Sequence, residues 1–91
     1  MLTNDMKKGM RVMMSFAASM GETPRWQGTI ADNKRGNLRA VTVEGWETET
    51  GDNYVFNIEW VRPTPDSDWE KVELTPKQIE WAKEVRRMGF G

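Results

Sequence analysis

The chain has neither cysteine nor histidine. Without cysteine there are no disulfides, no thiolate zinc sites and no cysteine nucleophile. Without histidine, the commonest general base at neutral pH and the commonest metal ligand are gone, and any Ser-His-Asp triad goes with them. Long apolar runs are missing too. No stretch approaches the roughly 20 residues a spanning helix needs, and Asp5, Lys7, Lys8 and Arg11 interrupt residues 1–20 in a way foreign to a signal peptide. A non-enzymatic, cytoplasmic protein is expected, with no cofactor, no metal and no membrane partner.

What is present suits one domain of 91 residues, 37% hydrophobic and 30% charged, with five tryptophans as large, stiff core or contact residues. A chain of this size buries about 65% of its extended surface, enough for one modest core. The net charge of −1 hides an asymmetry, because residues 1–43 hold seven basic and three acidic residues and the remainder six and eleven. A near-neutral total does not suit an indiscriminate phosphate binder, although one basic face remains open.

Residues 1–6 lack a pattern and are expected to be flexible. Met10, Val12, Met14 and Phe16 then alternate with Arg11, Met13 and Ser15, which predicts a first strand over 9–16. A polar excursion with Gly21 and Pro24 follows. Trp26, Gly28 and Ile30 set the inward phase of a second strand, and the glycine marks a bend or a close backbone approach. The basic knot Lys34-Arg35-Gly36-Asn37 reads as a turn.

The third strand, 38–46, breaks phase: Leu38 and Ala40 share one face, Arg39, Val41 and Val43 the other. Either a bulge lies near Ala40 or both faces are covered. The run 47–53 reads as an exposed turn, and Tyr54, Phe56, Ile58 and Trp60 follow as the inward set of a fourth strand. Pro63 and Pro65 end it, and 69–74 supplies a short fifth.

Residues 75–91 carry the marks of a helix. Thr75 is placed as N-cap, Pro76 at the first helical position and Gln78 to complete a capping box, with Gly89 and Phe90 available for the C-terminal end. Trp81, Ala82, Val85 and Met88, with Ile79 at the edge, form its apolar arc. It is expected to cap the domain's own open end, docking on another chain being the alternative.

Lys8-Gly9-Met10-Arg11-Val12, followed by Gly28-Thr29-Ile30, Val41-Thr42-Val43 and the 54–60 strand, resembles the SH3-like small-barrel modules. Tudor and KOW domains share the basic-Gly-x-x-Val start and the Gly-x-Ile/Val strand. The resemblance covers residues 7–74 and implies a mainly β, five-stranded antiparallel SH3-like barrel followed by the C-terminal α-helix. Gly9-Met10-Arg11-Val12 with Trp26-Gln27-Gly28-Thr29-Ile30 is also locally similar to the plasmid-borne type II dihydrofolate reductases. Those work as tetramers around a pore and use a Val-Gln-Ile-Tyr run; Phe56-Asn57-Ile58-Glu59-Trp60 stands in the corresponding region here and lacks it.

Three functions follow. The first is a module that contacts a protein or a second copy of itself, through Met13, Arg39, Val41, Val43 and Trp46, apolar or basic positions outside the alternating core. The second is single-stranded nucleic-acid binding by a basic hairpin of Arg25, Lys34, Arg35 and Arg39, with Trp26 or Trp46 as stacking rings. The third is the folate reduction that the local similarity implies. A methyl-cation cage at Trp46 and Tyr54 also has suitable composition, with Glu47, Glu49 and Asp52 nearby. Tyr54 is equally readable as core, and these carboxylates, like Asp66 and Asp68, read as solvated turns rather than acid–base pairs or a calcium loop.

Overall fold

The computed structural model describes residues 1–15, 26–33, 36–44 and 48–88. Within them lie six strands, β1 (Arg11–Met14), β2 (Trp26–Ile30), β3 (Leu38–Glu44), β4 (Glu49–Tyr54), β5 (Ile58–Arg62) and β6 (Glu70–Lys71), and one helix, α1 (Pro76–Arg87). The strands form a single antiparallel sheet in the order β4-β3-β2-β1-β5-β6. This corrects the five-stranded barrel: the sheet is open and has six strands. Closure would require β4 to pair with β6. Instead, β6 is two residues long, and residues 1–3 lie along that end of the sheet.

The extra strand, 49–54, covers most of the run 47–53 expected as a turn from its Glu, Gly, Asp and Asn, together with Tyr54. Six consecutive register pairs with β3, from Leu38↔Tyr54 to Val43↔Glu49, hold it extended. Cross-strand pairing here overrides weak β propensity. The same ladder runs through Ala40 without a shift, so β3 has no bulge: Leu38 is exposed, while Arg39 and Val41 are buried.

The alternation expected over 54–60 is also broken, in two places. Val55–Asn57 is a 3-10 turn whose three residues are all buried. Then Met13 pairs with Trp60 but Met14 with Ile58, leaving Glu59 as the extra residue of a bulge. Turn and bulge together put Ile58 and Val61 in the core and move Trp60 to the outer face.

The core gathers Met6, Val12, Met14, Ile30, Val41, Val55, Ile58 and Val61. Full burial of each such side chain contributes roughly 1.5–3 kcal/mol. Gly28 lets β2 and β3 close over it: a Cβ there would stand 2.6 Å from the Thr42 carbonyl oxygen and 2.8 Å from Val41 Cγ1. The Trp26–Ile30 run thus has a packing role. Trp26 itself, expected inward, is 41% exposed at the strand end.

α1 starts as its sequence specifies. The Thr75 hydroxyl accepts from Gln78 N at 3.2 Å, and Thr75 N donates to Gln78 Oε1 at 3.1 Å. Ala82 and Val85 bury against Phe56, with Leu74 and Trp81 beside them, so the helix packs on its own sheet. The proposed C-terminal Gly89 and Phe90 contact lies outside the described residues.

Residues 1–6, which show no pattern in sequence, make specific contacts. Thr3–Asp5 is a 3-10 turn, Thr3 and Met6 are buried, and Leu2 bridges Glu73 in parallel. Thr3 N donates to Glu73 O at 3.1 Å and Glu73 N to Met1 O at 2.8 Å.

Candidate protein-binding surface

The antiparallel registers place Lys71, Trp60, Met13, Gln27 and Glu44 in one row across five strands, from β6 to β3. A neighbouring row on the same outer face runs Arg62, Arg11, Thr29, Thr42, Thr50. Met13 and Trp60 are half-buried and adjacent, forming an apolar centre in an otherwise polar face. Lys71 Nζ stands 6.0 Å from the Trp60 ring centroid, at the outer limit of a cation–π contact. Arg62 Cζ is likewise 6.0 Å from the Trp69 ring, and its Nε donates to Ser67 O at 2.8 Å.

Arg11 organises the other flank. It pairs with Glu44 through both carboxylate oxygens, and also donates to Thr29 Oγ1 at 3.1 Å and Gln27 Oε1 at 3.1 Å. The hydrogen bond from Arg11 holds the Glu44 carboxyl below the usual carboxylate range; slight desolvation opposes this and the arginine's charge adds to it. The same bond raises the Arg11 guanidinium. This pair is partly exposed, so its worth is specificity of the surface more than stability.

Among the described residues expected to make contacts, Met13 lies on this face. Val41 and Arg39 are fully buried at 0% exposure and Val43 packs against the core. The three do share a face, but it is the inner one; an arginine among them suggested solvent where the structure has core. Ser15, expected beside Met13 and Arg11, is buried. Trp46 lies outside the described residues, as do Arg25, Lys34 and Arg35 of the basic hairpin.

Arg39, their intended companion, is a structural centre. Its guanidinium donates to Gly36 O at 3.0 Å, Leu38 O at 2.8 Å and Thr3 O at 2.9 Å. Gly36 O also accepts from Gln78 Nε2 at 3.0 Å, and the Thr3 hydroxyl donates to Gln78 Oε1 at 2.5 Å. One polar knot therefore ties the N-terminal segment, the approach to β3 and the first turn of α1. Gly36, at φ 104°, takes a backbone conformation that favours glycine.

Two further features complete the surface. Tyr54 stacks on Phe56 at 5.1 Å and tilts against Trp81 at 5.6 Å, so its ring packs on other rings. Between α1 and the β5–β6 end lies a cleft of about 170 Å³, floored by Val55, Phe56, Ile58 and Leu74 and rimmed by Glu59 and Arg86. Among the described residues no three acidic side chains converge to hold a metal ion. Trp60 and Lys71 were not expected on this face, because the alternation over 54–60 set Trp60 inward and the 3-10 turn and bulge reverse it. No helix among the described residues is long and apolar enough to cross a membrane.

Comparison with known proteins returns no matching family model, no matching curated protein and no matching solved structure.

Proposed function

We propose that this chain is a small non-enzymatic binding module that contacts a protein, or a second copy of itself, through the outer face of its sheet around Met13 and Trp60. The observation that carries the proposal is their adjacency across β1 and β5, ringed by Lys71, Gln27 and Arg11. An apolar centre with an aromatic anchor and a polar rim is the composition of a binding hot spot. A relationship to Tudor- and KOW-like modules belongs to the same proposal. It is supported by the basic-Gly-x-x-Val start, whose Arg11 and Val12 open β1 and pair with Thr29 and Gly28 of the Gly28-Thr29-Ile30 run in β2.

Affinity capture with the wild-type chain and with Met13→Glu tests this. A protein retained by the first and released by the second is expected; a strictly monomeric chain that retains nothing contradicts it. The second reading, single-stranded nucleic acid, is favoured by the two tryptophan–cation pairs, Trp60 with Lys71 and Trp69 with Arg62. It requires salt-sensitive binding that weakens in Lys71→Ala, and no binding at low salt removes it.

A further inference from the structure

We infer that the edge of β4, unpaired among the described residues, receives an extended, basic segment of a partner protein as an added strand. β4 is six residues long and ends the sheet. Five of its residues are exposed and Asn53 is half-buried. Its ladder with β3 is unbroken, so neither bulge nor register shift twists the edge away. It carries no proline and no lysine. Such an edge is a template for backbone pairing, which proteins otherwise blunt with those devices. Asn53 Nδ2 covers one carbonyl of the strand, Gly51 O, at 3.1 Å. The face of the strand at Gly51 is open, since a Cβ built there meets nothing within 4 Å.

Charge and apolar character select the occupant. Glu49 and Asp52 are exposed and β4 holds no cation. A second copy paired antiparallel on this edge would add two carboxylates and no cation to the same short ladder, leaving Glu49 and Asp52, one on each face, without an opposite charge. A basic segment turns the same carboxylates into favourable cross-strand partners. At one end of the strand Tyr54 and its register partner Leu38 are 39% and 44% exposed, a shelf for an apolar residue of the incoming chain. Main-chain hydrogen bonds then supply affinity, and the carboxylates and shelf supply selectivity. β4 lies three strands from β1, about 14 Å at sheet spacing, so this site is separate from the Met13 and Trp60 face.

The test is amide hydrogen exchange of the full chain with a seven-residue valine peptide carrying two lysines three positions apart, so that one meets Glu49 and the other Asp52 on opposite faces of the sheet. Alternate β4 amides, those not bonded to β3, are expected to slow by roughly tenfold or more. The same peptide carrying N-methyl groups on both edges should give no protection, and a glutamate–valine version should bind at least about tenfold more weakly. The inference is overturned if β4 shows no protection, if the N-methylated peptide protects equally, or if β4 protection grows with protein concentration alone, which would make a second copy the occupant. Peptide effects confined to Met13 and Trp60 would overturn it while leaving the outer-face proposal intact. Loss of partner capture in Met13→Glu, conversely, reports only on that face.

Discussion

The two edges of the sheet are built in opposite ways. At β6 the edge is two residues long, and the chain's first residues close it: Leu2 bridges Glu73, the Met1 ammonium donates to Lys71 O at 2.7 Å, and Thr3 N and Glu73 N complete the pairing. Thr3 is in turn gripped by Arg39 and Gln78. At β4 the edge is three times as long, regular and exposed. The contrast shows where this small fold spends its buried polar interactions. They fasten one edge to the helix and the core, and leave the other to solvent or to a partner.

Breaking the sealed side should cost most. Arg39→Met removes three charge-assisted bonds from a buried site, although Gly36 O and Thr3 O keep Gln78 Nε2 and Met6 N as donors, for an expected loss of about 3 kcal/mol in urea unfolding. Residues 1–6 should exchange faster with it. Gly28→Ala, midway between the edges, meets the Thr42 carbonyl and should cost about 2 kcal/mol by the same measurement. Thr3→Val deletes only the hydroxyl bond to Gln78, about 1 kcal/mol, and its effect should be non-additive with Gln78→Ala because the two share one network. On the open side, Thr50→Val loses an exposed hydroxyl contact with Thr42 and should stay within about 0.5 kcal/mol. Equal costs for Thr3→Val and Thr50→Val would erase the contrast.

The smallest effect concerns Glu44. Its carboxyl is lowered in the folded chain by the hydrogen bond from Arg11. The associated stabilisation is therefore present above the ordinary carboxylate range and is lost as pH falls through the lowered folded value. Carboxyl NMR should show Glu44 titrating below the ordinary carboxylate range, and Arg11→Met should return it to that range.

Some of this molecule was legible in its residues. Thr75, Pro76 and Gln78 announce the start of α1 because a capping box is a local motif, complete within four residues. The phase of Met13 against Val12 and Met14 is legible because β1 alternates half-buried and buried along its four residues. What could not be read depends on contacts distant in sequence. β4 is extended because β3 pairs with it; Trp60 faces outward because Glu59 bulges; Arg39 is buried because Thr3, 36 residues away, brings a carbonyl to it. Gln78 was read correctly as a cap, but its bonds to Thr3 and Gly36 carry no local pattern. The candidate site was legible only in Met13; its partners Trp60 and Lys71 arrive through the register.

Residue-resolved hydrogen exchange on the unliganded chain tests the contrast between the edges most directly. The amides of Thr3, Val72 and Glu73, bonded at 3.1, 2.9 and 2.8 Å, should exchange slowly together, while alternate amides of β4 exchange at nearly the rate of open chain. Thr3 and Glu73 amides that exchange as fast as those of β4 would contradict a sealed edge opposite a free one.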